Sequence, residues 1–170
     1  MKFPLVPGAV LAFAGWALVA RAQPPPAPAV HHELDFWLGD WEAFAGGTLD
    51  GTDRIERVLD GAAVIEHWHD VSGHEGKSLF YFYRPENRWK QVWVTDVGAV
   101  KEKVCIAVFP GGGTRFRGEI PLRAGGTVLD QTTLTSLPDG TVHQLIEQSA
   151  DGGRTWQTTF DAIYRRKQSP

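Results

Sequence analysis

The sequence of 170 residues contains only one cysteine, Cys105, and this scarcity limits how the fold can be stabilised. No intramolecular disulfide can form, although an oxidising compartment would permit one. A structural zinc site built from several thiolates is also excluded. Cys105 lies in the apolar run KVCIAVF, so we expect a buried, inert thiol and a fold that depends on its hydrophobic core.

The chain also lacks an excess of basic residues. It carries 17 lysines and arginines against 20 aspartates and glutamates, a net charge of −3 at pH 7. Without Lys2 and Arg21, which lie in the N-terminal segment discussed next, the balance becomes 15 against 20, or −5. An acidic balance argues against nucleic acid and anionic membrane surfaces as partners, because both attract basic proteins.

Long hydrophobic runs are missing after the N-terminal segment. Lys2 is followed by the apolar stretch GAVLAFAGWALVA, and Ala20-Arg21-Ala22 has the small-residue pattern of a signal peptidase site. The apolar stretch is short for a membrane span. The sequence therefore predicts a cleaved signal peptide over residues 1–22 and a secreted or periplasmic protein, with an uncleaved anchor as the alternative. Residues 23–30, QPPPAPAV, predict an extended proline-rich tether.

A helical period is missing beyond Trp41. Before it, HHELDFWLGDW predicts one short helical turn that places Leu34, Trp37 and Leu38 on one face and ends at Gly39. After it, short segments rich in β-branched and aromatic residues alternate with turn signals such as Asp-Gly pairs. The predicted strands are 41–45, 52–58, 62–69, 77–83, 89–96, 101–109, 114–120, 127–135, 141–149 and 155–165.

These segments predict one all-β domain over residues 31–166, followed by a C-terminal tail over residues 167–170. About ten strands joined by hairpins, with no crossover helix, favour an antiparallel up-and-down β-barrel with a short N-terminal helical plug. Closure of the sheet into a barrel removes exposed strand edges.

Several motifs resemble those of known barrel proteins. Gly39-Asp40-Trp41 resembles the Gly-x-Trp signature of lipocalins and other calycins. A wider set of motifs resembles a family of small bacterial secreted proteins of unknown function, which is lipocalin-like and related in fold to nitrobindin-type barrels. The motifs are DFWLGDWE, RIERVLDG, IEHW, YRPENRWKQVWVTD, LPDGTVHQLIEQSADGGRTW and FDAIYRR, and the resemblance covers residues 34–166.

This resemblance implies a lipocalin-like barrel whose base is closed by Trp41, stacked with Arg165 or Arg166 from the last strand. Nitrobindin-type barrels bind haem through a histidine close to the C-terminus. The last histidine of this chain is His143, two strands earlier, so haem binding is not carried over and no cofactor is expected.

The stretch VIEHWHD contains two alternative sites, one on each face of a predicted strand. Side chains alternate along a strand, so His67 and His69 lie on one face and Glu66 and Trp68 on the other. Only one of the two pairs can point into a barrel. We expect Glu66 and Trp68 to point inward, because the opposite arrangement would expose Trp68 to water.

The histidine pair raises the hypothesis of a metal centre. His67 and His69 lie about 7 Å apart along a strand, and His143 or His74 would complete a three-histidine site with an open position. Zinc in such a site activates water for hydrolysis. The alternative is a pair of solvated histidines, and motif matches this short are often false. We therefore favour no metal.

The carboxylate and the indole favour a ligand pocket instead. Aromatic residues share a face with glutamine in the segment RWKQVWVT. An aromatic wall with a few converging polar groups is typical of small-molecule sites. The predicted wall consists of Glu66, Trp68, Tyr81, Trp89, Gln91 and Trp93, joined either by Gln144 and Gln148 or by His143 and Glu147.

The leading hypothesis is a secreted protein that holds a small apolar or aromatic ligand in its lumen. The alternative is an enzyme, with Glu66 as an acid–base group or the histidines as a metal centre for hydrolysis. A polar network that only fixes strand register, without a ligand, is a third hypothesis. Phe80 and Phe82 oppose Leu79, Tyr81 and Tyr83, so this strand is apolar on both faces, and an outward aromatic patch there raises the hypothesis of a homodimer contact.

Overall fold

The structure is a computed structural model that describes residues 31–168. The predicted signal peptide and proline-rich tether lie outside these residues, as do the last two residues of the predicted tail. Within the described range, no helix is long and apolar enough to cross a membrane.

Ten antiparallel strands form a closed barrel in which neighbours along the chain pair with each other and the first strand pairs with the last. The order is up-and-down, so the predicted all-β architecture and strand number are confirmed. The strands are β1 Gly39–Ala45, β2 Thr48–Val58, β3 Ala63–Asp70, β4 Glu75–Tyr83, β5 Arg88–Thr95, β6 Val100–Val108, β7 Gly113–Pro121, β8 Thr127–Ser136, β9 Val142–Ser149 and β10 Gln157–Arg166.

The predicted helical plug is corrected by the structure. Residues 31–168 contain no α-helix, and the N-terminal segment forms only a 3₁₀ turn, Asp35–Trp37. The turn stops early because Gly39 is already paired with Ile55 as the first residue of β1. Leu34 and Trp37 are nevertheless fully buried in the core. The base of the barrel is thus filled by their side chains rather than covered by a helix.

A stack of Trp41 and Arg166 seals the base. The Trp41 indole N–H donates a hydrogen bond to the Trp37 carbonyl at 2.7 Å. The Arg166 guanidinium lies 4.1 Å from the centre of the Trp41 ring and donates to the Leu38 carbonyl at 2.5 Å. Arg165 lies instead over Phe44. Of the two arginines considered from the sequence, Arg166 is therefore the stacking partner.

Aromatic side chains fill the half of the lumen next to this base. Trp37 and Phe80 meet edge to face at 5.6 Å, and Phe80 meets Phe116 at 5.3 Å. Leu134 and Val142, on β8 and β9, are buried in the same cluster. This packed half contributes most of the apolar burial that stabilises the barrel, and it forces any cavity into the opposite half.

A β-bulge changes which residues of β10 point inward. The register with β9 shifts between Thr158 and Phe160. Phe160 and Tyr164 contact the core, as alternation predicts, but Trp156 precedes the strand and lies outside the barrel. It packs under the Arg117 guanidinium, 5.0 Å away. Trp156 is therefore not a member of the core.

Candidate ligand-binding site

The half of the lumen away from the aromatic base contains a cavity of about 420 Å³. This volume lies within the usual range for sites that hold a small molecule. Strands from around the whole barrel contribute to its wall, including β3, β5, β6, β8, β9 and β10. The cavity combines aromatic rings with carboxyl, ammonium and amide groups.

Four residues of the predicted wall line this cavity: Glu66, Trp68, Gln91 and Trp93. Glu66 is 4% exposed, which confirms that Glu66 and Trp68 occupy the inward face of β3. Their burial follows from strand alternation, because Val64 on the same face is fully buried in the core. Their role in binding a ligand stays a prediction.

The other two predicted wall residues lie elsewhere. Tyr81 is on the outer face of β4, because Phe80 and Phe82 occupy the inner face and pack into the core. Trp89 does point inward, but it is buried at the base, where its indole N–H donates to the Glu33 carboxylate at 3.1 Å. Neither Tyr81 nor Trp89 lines the cavity, so the predicted wall is corrected at both positions.

Two glycines make room for the indole rings of the wall. A Cβ atom at Gly51 on β2 would lie 2.6 Å from the Trp68 ring, and one at Gly76 on β4 would overlap the Trp93 ring. Both rings therefore lie against bare backbone of neighbouring strands. This arrangement places flat aromatic surface on the wall without filling the lumen.

A chain of buried polar groups links β2, β3, β4 and β5 below the rings. The Ser78 hydroxyl donates to the Glu66 carboxylate, and the Gln91 amide N–H donates to the Ser78 oxygen at 3.0 Å. Asp53 is 2% exposed, and no side-chain donor reaches either of its oxygens when it is a carboxylate. Protonated Asp53 instead donates to Glu66. The two acids thus form a pair that holds a proton.

Burial raises the pKa of both acids. For Glu66, burial raises the pKa from 4.5 to about 7, against the lowering effect of the hydrogen bonds from Ser78 and Asp53 and of the Lys103 charge. For Asp53, burial and then the Glu66 charge raise the pKa well above its usual range. A carboxyl group removed from water is easier to keep neutral than to ionise.

Two lysines form a positively charged wall on β6. Lys103 is 4% exposed, and its ammonium group contacts Asp130 and donates to the Thr132 hydroxyl at 2.6 Å. Lys101 donates to the other oxygen of Asp130 at 2.9 Å. The Gln148 amide adds a third donor to Asp130 at 2.8 Å. One fully buried carboxylate is therefore shared between two ammonium groups.

The pKa values of Lys103 and Asp130 are both lowered, but for different reasons. Burial lowers the pKa of Lys103, although Asp130 opposes this shift. Burial is the largest single effect on Asp130 and acts to raise its pKa, but the charge and hydrogen bond of Lys103, the Lys101 charge and the Gln148 hydrogen bond together lower it. Asp130 is therefore ionised at neutral pH, and the lysines keep it so.

The lysine wall was missed at the sequence level. Lysine is rarely buried, so the segment KEKVC reads as a solvent-exposed strand start. Alternation contained the necessary signal, because Lys101 and Lys103 share a face with Cys105, which was expected to be buried. Cys105 is indeed 9% exposed. An inward Cys105 therefore implied inward lysines.

The β9 face that joins the cavity carries Gln144 and Gln148 rather than His143 and Glu147. The Tyr164 hydroxyl donates to the Gln144 side chain across the β9–β10 pair. Burial raises the pKa of Tyr164, and the nearby Asp53 and Glu66 charges add to this effect, so the phenol stays protonated.

The four histidines of the metal hypothesis do not converge. His67 pairs with Glu56 at 3.0 Å on the outer face of β3, and His69 lies 3.4 Å from Glu75. His143 pairs with Asp161 on the outer face of β9, which is not a neighbour of β3 in the barrel. His74 pairs with Asp96 near the β3–β4 turn. Over residues 31–168, no three potential metal ligands come together.

The chain matches no protein-family model and no curated protein. The resemblance to a lipocalin-like bacterial family therefore stays a prediction. The stack of Trp41 and Arg166 is what that resemblance implies for the base of the barrel. The interpretation of the cavity rests on its own geometry.

Proposed function

We propose that the protein is exported and binds a small, partly apolar molecule in the lumen of its barrel. The observation that carries this proposal is the cavity of about 420 Å³, in which the rings of Trp68 and Trp93 stand beside buried polar groups. Such a combination gives both contact area and orientation to a ligand.

A purely structural network accounts less well for these groups. Buried polar atoms that only fix strand register are normally all hydrogen-bonded. Here the side-chain oxygen of Gln91 has no hydrogen-bond donor, and because the residue is only 7% exposed this oxygen is buried. Gly51 and Gly76 also keep the wall open where larger residues would fill it. An open wall with an unsatisfied acceptor supports an occupant for the cavity.

The proposal is tested with three naphthalene probes: 2-naphthoate, 2-naphthamide and 2-naphthylmethylammonium. Quenching of tryptophan fluorescence reports binding, because two indoles stand on the cavity wall. We expect at least one probe to bind the wild type. Gly76→Ala pushes Trp93 into the lumen and is expected to weaken that binding about tenfold or more.

The matched control is Lys77→Ala, at an exposed position on the outer face of the same strand. It should bind the probes as the wild type does, and circular dichroism confirms that both variants fold. Absence of binding by all three probes, or equal affinities in the Gly76→Ala variant and the wild type, would refute lumen binding.

A second candidate function is acid–base catalysis by Glu66. The specific observation in its favour is the pKa of about 7, which suits a group that both takes up and releases protons at neutral pH. Turnover of a screened ester or ketone should fall about 100-fold or more in Glu66→Gln while probe binding persists. Turnover that survives the substitution excludes this role.

Export, solution partners and oligomeric state belong to the proposal as well. Removal of residues 1–22 predicts a mature chain that begins at Gln23, which N-terminal sequencing of the secreted or periplasmic protein tests. The acidic balance favours neither nucleic acid nor anionic membranes as partners. A homodimer through Leu79, Tyr81 and Tyr83 stays a prediction; Leu79 and Tyr83 are 42% and 39% exposed, and ultracentrifugation tests it.

A further inference from the structure

The two lysines of this wall have more N–H donors than the acceptors that they contact in the protein. An ammonium group has three N–H bonds. Lys103 uses two of them, on Asp130 and Thr132, and Lys101 uses one, on Asp130. Both lysines line the cavity, whereas Asp130 lies behind them. Three N–H bonds are therefore left for a group inside the cavity or for water.

The charge on this wall is also incompletely balanced. Two lysines share one carboxylate, Asp130, which leaves one positive charge in excess. The other buried acids among residues 31–168 are Asp53 and Glu66, and burial favours their neutral forms below about pH 7. A partly desolvated positive charge binds a ligand oxyanion more strongly than one in water.

Two acidic residues at the cavity favour the opposite ligand charge and must be considered. Asp50 and Asp70 line the cavity from β2 and the end of β3. The Asp70 carboxylate is already engaged, because it accepts the backbone N–H groups of Ser72 and His74 at 2.7 and 2.9 Å. An engaged carboxylate competes poorly for a ligand cation. Asp50 lies on β2, four strands around the barrel from the lysines on β6, so the lysine wall itself still favours an anion.

A separate acceptor lies on β5. The Gln91 oxygen has no donor among residues 31–168, while its amide N–H is already bound to Ser78. A hydroxyl or amino group on the ligand would satisfy this oxygen. Leaving it unsatisfied costs about 1–3 kcal/mol, so a ligand that supplies a donor there gains affinity and discrimination over an analogue that lacks one.

We propose that the natural ligand is a hydroxyl- or amino-substituted aromatic carboxylate. Its carboxylate binds Lys101 and Lys103, its ring lies against Trp68 and Trp93, and its donor group bonds to the Gln91 oxygen. This inference rests on the proposed function and specifies the ligand class for the same cavity.

The test measures affinities by calorimetry at pH 6, below the pKa of about 7 for Glu66, and at low salt for four matched compounds. These are 6-hydroxy-2-naphthoate, 2-naphthoate, 6-hydroxy-2-naphthamide and 2-naphthylmethylammonium. In the wild type we expect 6-hydroxy-2-naphthoate to bind about tenfold more tightly than the amide and than 2-naphthoate, and the cation to bind most weakly. This ranking requires no variant, so it stands even where a substitution prevents folding.

Two variants assign the preference to named groups. Lys101→Met should reduce the preference for the acid over the amide about tenfold, and Gln91→Leu should remove the preference for the hydroxylated acid over 2-naphthoate. Lys77→Met, which removes an exposed lysine from the outer face of β4, is the control and should change neither ratio. Lys101 is chosen over Lys103 because its removal leaves Asp130 paired.

The outcomes separate this inference from the proposed function. If no probe binds, lumen binding itself fails. If the probes bind but the amide or the cation binds as tightly as the acid, lumen binding stands and the carboxylate assignment is overturned. A Lys101→Met variant with an unchanged acid-to-amide ratio also overturns it.

Discussion

Glu66→Gln tests whether the buried acid pair makes the stability of the barrel fall as pH rises towards neutrality. The pKa of Glu66 rises from 4.5 to about 7 in the folded protein, mainly because of burial. Below pH 4.5 both the folded and the unfolded chain hold this proton. Between pH 4.5 and about 7 only the folded protein keeps it, so unfolding releases a proton and rising pH favours the unfolded state.

The size of the effect follows from the same two values. Each tenfold change in proton affinity corresponds to about 1.4 kcal/mol, so this group alone lowers the free energy of unfolding by up to about 3 kcal/mol between pH 4.5 and 7. Asp53 acts in the same direction, since its pKa is raised too. The substitution keeps an oxygen for the Ser78 hydroxyl to donate to, so it removes the titration with little change in shape.

Urea unfolding at several pH values between 4.5 and 8 measures the effect. We expect the wild type to lose stability across this range, and the loss in Glu66→Gln to be smaller by up to about 3 kcal/mol. Glu119→Gln, at an exposed position of β7, is the control and should follow the wild type. Parallel curves for the wild type and Glu66→Gln would show that Glu66 titrates alike in the folded and unfolded chains, which contradicts its burial.

Three further predictions concern the base, the lysine wall and the cysteine. Arg166→Leu should lower the free energy of unfolding by about 1–2 kcal/mol, because it removes the stack on Trp41 and the hydrogen bond to the Leu38 carbonyl; an unchanged urea midpoint would refute this. Lys103→Met should cost about 1.5–3 kcal/mol in the same assay, since Asp130 loses its closest cation but keeps Lys101 and Gln148, and an unchanged midpoint would argue that the pair is solvated. Cys105, whose thiol pKa is raised by burial, should react with a thiol reagent at least about 100-fold faster in urea than in the folded protein, and equal rates would contradict its buried position.

The strand number and the topology could be predicted because turn residues mark each hairpin. Asp-Gly pairs and other turn signals separate ten segments, and a meander with no crossover closes on itself in only one simple way. The face of β3 could also be predicted, since Trp68 makes one face much more costly to expose than the other. Local chemistry was sufficient for both conclusions.

The depth of a residue along the barrel axis could not be predicted. Alternation distinguishes inside from outside, but it does not distinguish the packed base from the open cavity, so Trp89 and Trp93 look equivalent in the sequence. Depth depends on the stagger between strands, which only the complete pairing determines. The orientation of Tyr81 could not be predicted for another reason. Its strand is apolar on both faces, so the hydrophobic pattern does not indicate which face points inward.

The length of the N-terminal turn depended on tertiary pairing in the same way. The residues around Trp37 have a helical spacing, but pairing of Gly39 with β2 leaves only a few residues for a turn. A helix this short gains little from its own hydrogen bonds. Burial of Leu34 and Trp37 therefore decided the conformation, and helix propensity did not.

The two halves of the lumen use their residues for different purposes. The base is packed with aromatic and aliphatic side chains, as expected for a core selected for stability. The half of the lumen away from the base buries Asp53, Lys103 and Asp130, and leaves the Gln91 oxygen without a donor. Apolar residues of similar size would make a comparable barrel more stable, because buried charges and unsatisfied acceptors reduce stability. Lys103 and Gln91 line the cavity, and Asp130 pairs with Lys103 behind its wall. A stability cost concentrated around one cavity is best explained by what the cavity binds.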